Sequence, residues 1–143
     1  MDLRELERKL RVYAQGKEIE ALYLFGSTVA GGRTPLSDLD VAVLLPEGVP
    51  RERYLELRLR MIAELSDLLD TDRVDLVILN QAPPLLAHRV VTRGRLIWAR
   101  DDITRARFEA RAIQEYLDLK PLYELERRYM AERIKEGRFG VRS

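Results

Sequence analysis

The chain has 143 residues, of which 46% are apolar and 34% charged, and a net charge of +1 at neutral pH. That length and balance suit one folded domain with its own core, and the near-zero charge argues against stable nucleic-acid binding. The absence of cysteine excludes disulfides and thiolate metal sites, and the single histidine, His88, argues against a zinc centre or a histidine-based triad. The N-terminal residues MDLRELERKLRVYAQ lack the basic-then-apolar order of a secretory signal. No apolar run approaches the ~18 residues that span a bilayer, so a cytoplasmic location is expected.

Leu3, Leu6, Leu10 and Tyr13 fall at helical spacing and predict an amphipathic first helix, ended by Gly16. A strand is expected over 19–25. Ser27 to Ala30 can begin a short helix, which Gly31-Gly32 breaks before a turn at Thr34-Pro35. The nearly uninterrupted apolar run 39–45 predicts an interior strand covered on both faces, closed by Pro46-Glu47-Gly48. Over 51–69, Tyr54, Leu57, Met61, Leu65 and Leu68, with Leu55, Leu59, Ile62 and Leu69 beside them, predict a helix with a wide apolar stripe. A third strand follows over 74–79. Pro83-Pro84 opens another helix, which Gly94 ends, and a short strand is expected over 96–99.

Asp101-Asp102 caps a long helical segment, which Pro121 is expected to divide into two helices or kink sharply. The terminal GRFGVRS is expected to be flexible. With no repeat or linker, residues 1–143 read as a single domain, with the helical arm 101–136 packing on it or on a partner. The alternation of helices and strands implies a sheet backed by helices.

The stretch LYLFGSTVAGGRTPLSDLDVAVLL carries the chemistry. A Gly-Ser turn leaving a strand presents unpaired backbone N–H groups that favour phosphate oxygens, and glycine removes the Cβ that would keep a phosphate away. Gly26 and Ser27 are therefore candidate nucleotide-binding residues, joined by Arg33 and Ser37 in the segment that follows. As a lone dipeptide Gly-Ser is a common turn; Asp38 and Asp40 strengthen it. Two residues apart on a strand, they project from one face with Cα atoms about 6.5 Å apart. Carboxylates so placed can flank a pair of Mg²⁺ ions, whose hard-oxygen shell is completed by water and substrate phosphates. The bland alternative, a solvated strand end, explains one aspartate well and two poorly. Asp75, in RVDLVIL, is a third carboxylate on another strand, a candidate metal ligand or acceptor for the proton of an attacking hydroxyl. Asp72, in the turn before that strand, ranks lower. The reaction these groups suit is in-line attack of a hydroxyl on the α-phosphorus of a nucleoside triphosphate, with pyrophosphate leaving.

The pattern GS-x10-DxD with a later strand aspartate resembles the DNA polymerase β-type nucleotidyltransferase superfamily, and the short chain resembles its minimal nucleotidyltransferase (MNT) members. The resemblance implies an α+β, polymerase β-like fold: a small mixed sheet backed by helices, with a kinked C-terminal helical arm. It also implies that Asp38, Asp40 and Asp75 bind Mg²⁺ and that Gly26 and Ser27 contact the nucleotide phosphates. Most of the chain, including ARAIQEYLDLKPLYELERRYM, is similar to MNT antitoxins paired with HEPN toxins. That similarity implies an enzyme moving AMP from ATP to a tyrosine of a HEPN RNase toxin and so silencing it. Ala30-Gly31-Gly32-Arg33 departs slightly from the Ala-Arg-Gly common in the family, which shifts the register of Arg33 relative to that pattern. No Arg-x(4–6)-His signature of the RNase side precedes His88. Two rivals stand beside this reading: an antitoxin that inhibits by binding alone, and a nucleotidyltransferase acting on a small molecule or RNA. The arginines between 89 and 111 read as a solvated surface, and His88 as a surface or core residue rather than a catalyst.

Overall fold

The computed structural model describes residues 1–26 and 38–137. The expected helix start at Ser27–Ala30, the Gly31-Gly32 break, the Thr34-Pro35 turn and the candidates Ser27, Arg33 and Ser37 lie outside the described residues, as does all of the terminal tail beyond Gly137. The elements are α1 (Leu3–Gln15), β1 (Ala21–Phe25), β2 (Leu39–Leu44), α2 (Tyr54–Leu69), β3 (Val74–Ile78), α3 (Pro84–Arg93), β4 (Arg95–Ala99) and α4 (Asp102–Lys135). Short 3₁₀ turns at Arg51–Arg53 and Leu79–Gln81 lead into α2 and out of β3.

The strands form one mixed sheet in the order β3-β2-β1-β4. β1 runs antiparallel to both β2 and β4, whereas β2 and β3 are parallel. A parallel pair needs a crossover between its strands, and α2 supplies it. The alternation of side chains along the strands divides the core into two layers. Leu22 and Leu24 of β1, Leu39, Val41 and Val43 of β2, and Leu76 and Ile78 of β3 meet Leu6 and Leu10 of α1 and Leu57, Met61 and Leu65 of α2. On the other face, Ala21, Tyr23, Ala42 and Leu44 meet Ala87 and Val90 of α3 and Phe108 and Ala112 of α4. Full burial of each large apolar side chain contributes about 1.5–3 kcal/mol. The two central strands are thus covered on both sides, as the apolar run through β2 predicts.

Two expectations change in detail, and a third is decided between its two forms. The stripe of α2 is narrower than the sequence suggests: Tyr54, Leu57, Met61, Leu65 and Leu69 are buried, but Leu55, Leu59 and Leu68 are exposed. The sheet covers one side of α2, and leucines off that side have no surface to meet. The first strand starts at Ala21 rather than residue 19, although Ile19 is fully buried beside it. The C-terminal segment takes the single-helix form, 34 residues with Pro121 inside it. The carbonyl that Pro121 leaves without its helical donor is that of Leu117, on an exposed turn open to water. As expected, Asp101 caps this helix, its side chain accepting from the N–H groups of Ile103 and Thr104. Gly94 has a steric reason as well as a helix-ending one: a Cβ there would lie 2.9 Å from the carbonyl oxygen of Leu24 and collide with that of Val90. The glycine lets the α3–β4 corner close against β1.

α4 changes character along its length. Its buried residues, Phe108 and Ala112, lie in its first third. Beyond them, Tyr116 stacks on His88 of α3, with ring centroids 3.8 Å apart and an interplanar angle of 14°, which gives His88 a packing role between the two helices. Further on, Leu122, Leu125, Tyr129, Met130 and Ile134 are exposed.

Candidate active site

The ladder registers bring the predicted carboxylates together. Phe25, the last residue of β1, is opposite Asp40 of β2, and Asp40 is opposite Asp75 of β3. Residues in register share a face, so Asp40 and Asp75 project from the same side of the sheet. Their neighbours Leu39, Val41 and Leu76 occupy the other face and are almost wholly buried. Asp38 lies one residue before β2. The Leu39 N–H donates to the carbonyl of Arg73 at 2.7 Å, which pins the entry of β2 beside the entry of β3. The three aspartates therefore gather at one end of the sheet, where β1 ends and β2 and β3 begin.

Gly26 completes this end. Its φ of +72° lies in the left-handed region that glycine adopts without strain. A Cβ on Gly26 would also collide with the carboxylate of Asp40. Both the conformation and the free space over Asp40 thus require glycine. Asp38, Asp72, Arg73, Val74 and Asp75 line an open cleft of about 470 Å³ beside it. Asp72, ranked low from the sequence, borders this cleft.

The electrostatics divide the carboxylates. Asp40 titrates above the ordinary aspartate range, mainly because it is partly buried and then because Asp75 and Asp38 repel its charge. The outer two meet cations. Arg73 Nη1 is 3.8 Å from Asp38 Oδ1, and Arg58 Nη2 is 3.5 Å from Asp75 Oδ1. The side chains of Asp38 and Asp75 are 62% and 53% exposed, so each ion pair contributes little to stability. Nothing in the sequence pattern pointed to Arg58. It lies one position beyond Leu57 on α2 and reaches Asp75 only because that helix packs along β3.

Among the described residues no three carboxylate or imidazole side chains are arranged to grip one ion. The donor chemistry nevertheless fits a hard divalent cation: Asp40 and Asp75 share one face of the sheet, and Asp38, Asp72 and Asp75 open onto the cleft. The repulsion that raises Asp40 is of the kind a divalent charge between the carboxylates relieves. Other polar pairs are structural. Tyr13 donates to Glu64 at 2.6 Å and Tyr23 to Glu109 at 2.6 Å, and burial together with these bonds pushes both phenols well above their ordinary range. Several arginines read as a solvated surface are also engaged: Arg95 with Glu7, Arg105 with Glu109, and Arg100 with the carbonyls of Lys17 and Ile19. No helix among the described residues is long and apolar enough to cross a membrane.

The chain is similar to two proteins named protein adenylyltransferase MntA. The one from Shewanella oneidensis is 37% identical over 81 residues, covering 57% of this chain and 55% of the relative. The one from Aphanizomenon flos-aquae is 28% identical over 130 residues, covering 85% of this chain and 83% of the relative. The stronger sequence match thus spans little more than half the length of its relative. Among solved structures, a chain of a toxin–antitoxin crystal structure with AMP-PNP superposes with a TM-score of 0.68 at 28% identity, covering 90% of this chain and 98% of that one. A chain from the complex of tri-AMPylated Shewanella oneidensis HEPN toxin with MNT antitoxin gives a TM-score of 0.65 at 26% identity, covering 92% and 98%. Residues 8–103, which include Gly26, Asp38, Asp40 and Asp75, match the family described as polymerase beta, nucleotidyltransferase. With two thirds of its length inside that match and the same α+β fold, the chain belongs to the polymerase beta nucleotidyltransferase family.

Proposed function

We propose that the protein is an antitoxin that transfers AMP from ATP to a tyrosine of a cognate HEPN-family toxin and thereby neutralises it. The observation that carries this reading is the meeting of Asp38, Asp40 and Asp75 at the end of the sheet where Gly26 leaves room over Asp40. The names of the relatives, protein adenylyltransferase, and the solved toxin–antitoxin complexes supply the acceptor class.

In this reading Asp38, Asp40 and Asp75 hold Mg²⁺, with two ions expected, and Gly26, Ser27, Arg33 and Ser37 receive the triphosphate. The bound ions would supply charge neutralisation on the phosphates and on the attacking oxygen. Gly26, just after β1, puts no Cβ over the Asp40 carboxylate of β2 and so leaves that side of it free. Asp75 accepts the proton of the tyrosine hydroxyl as its oxygen bonds to the α-phosphorus. The bond from that phosphorus to the bridging oxygen breaks, and pyrophosphate leaves. The exposed far part of α4, with Leu125, Tyr129 and Met130, is the surface we assign to the toxin. A cytoplasmic location follows from the use of ATP.

The two arginine pairs favour a second reading, in which the carboxylates are structural and the protein inhibits by binding alone. Mass spectrometry of the co-purified toxin after incubation with ATP and Mg²⁺ separates the two. An AMP-sized mass increase on a tyrosine, absent with Asp40→Ala, is the expected result. An unmodified but inhibited toxin would establish the second reading.

A further inference from the structure

Arg58 stands in an unusual relation to Asp75. It projects from α2, the crossover helix, next to the buried residue Leu57. Its Nε–H donates to the carbonyl of Leu76 at 2.8 Å, and its Nη2 lies 3.5 Å from Asp75 Oδ1. Leu76 is the residue that follows Asp75 and is itself fully buried. One rigid guanidinium thus spans the backbone of the edge strand and the carboxylate beside it. A guanidinium is a planar fork, so anchoring Nε on a fixed carbonyl also fixes the direction in which Nη2 points. A lysine at this position offers the charge but no fork. The stem of Arg58 is held by a helix whose inner side is packed into the core, and the carbonyl by a strand paired with β2.

We propose that Arg58 is a positioning residue for Asp75: it engages one carboxylate oxygen and so presents the other to the cation and the acceptor hydroxyl. This rests on the nucleotidyl-transfer reading above and names a residue that acts in it without touching substrate. Groups that hold a metal-binding carboxylate in orientation typically change metal affinity 10–100-fold when removed.

The test compares wild type, Arg58→Gln, Arg58→Lys and Asp75→Asn in complex with the toxin partner. Mn²⁺ affinity is measured by titration calorimetry without nucleotide, and AMP transfer is measured over a range of ATP concentrations. Arg58→Gln is expected to weaken Mn²⁺ binding about 10-fold or more and to lower kcat similarly, while KM for ATP changes little. Arg58→Lys is expected to recover only part of both losses, because its ammonium cannot hold the Leu76 carbonyl and aim at Asp75 in one plane. A far-ultraviolet spectrum and melting curve like those of wild type show that the variants are folded. Wild-type Mn²⁺ affinity and kcat in a folded Arg58→Gln protein would overturn the assignment alone. So would tighter Mn²⁺ binding, which would make Arg58 a competitor of the cation. Full recovery by Arg58→Lys would overturn the role of the fork. Failure of the wild-type complex to bind Mn²⁺ or transfer AMP would instead overturn the reading beneath it.

Discussion

The two ends of the sheet are finished in opposite ways. At the end where β2 and β3 finish, side chains close off backbone groups, although Glu20 Oε2 is buried there without a hydrogen-bond partner among the described residues. The Asn80 side chain accepts from the Leu45 N–H at 2.8 Å and donates to the Leu45 carbonyl at 3.0 Å, continuing the ladder beyond the last strand residues. Arg100 closes the carbonyls of Lys17 and Ile19 in the same manner. At the end where β2 and β3 begin, three carboxylates gather, and Gly26 leaves the space over one of them, Asp40, free. The first end stabilises the fold. The second raises Asp40, through its partial burial first and then through the charges of Asp75 and Asp38.

The contrast can be broken at either end. The largest effect is expected from Asp38→Ala or Asp40→Ala: AMP transfer to the toxin, followed by mass spectrometry, should fall at least about 10²–10³-fold while the circular dichroism spectrum is unchanged. Gly26→Ala should follow. It combines a left-handed backbone with a collision against Asp40, and it should lower transfer by up to about 10²-fold and stability by about 1–3 kcal/mol in urea unfolding.

The mirror experiment is Asn80→Ala at the opposite end. It leaves the Leu45 N–H and carbonyl without their partner and should reduce stability by about 1–3 kcal/mol, with transfer per folded molecule unchanged. Equal loss of transfer in Asn80→Ala and Asp40→Ala would erase the distinction between the ends.

The smallest effect is on pH dependence. The folded-state pKa of Asp40 is raised above its unfolded value, so its contribution is present below the unfolded pKa and is lost as pH rises through the folded one. Without divalent cation, wild type should therefore lose a little melting temperature across that window, and Asp40→Asn should show a flatter profile. Added Mg²⁺ at neutral pH should restore the loss in wild type more than in the variant, as read by differential scanning fluorimetry.

Local pattern determined much of this protein. The helical spacing of Leu6 and Leu10, the apolar run of β2, the caps at Gly16 and Asp101 and the turn at Gly26 are written in short windows, because each depends on neighbours a few residues away. The pairing of Asp38 with Asp40 was legible for the same reason. Asp75 could be suspected from its strand, but only the parallel register of β2 and β3 sets it opposite Asp40. Tertiary packing alone decided the rest. It exposed Leu55, Leu59 and Leu68, carried the helix through Pro121 and brought Arg58 from α2 onto Asp75. Those outcomes depend on which surface a segment meets, and a surface assembled from distant segments leaves no trace in the residues beside it.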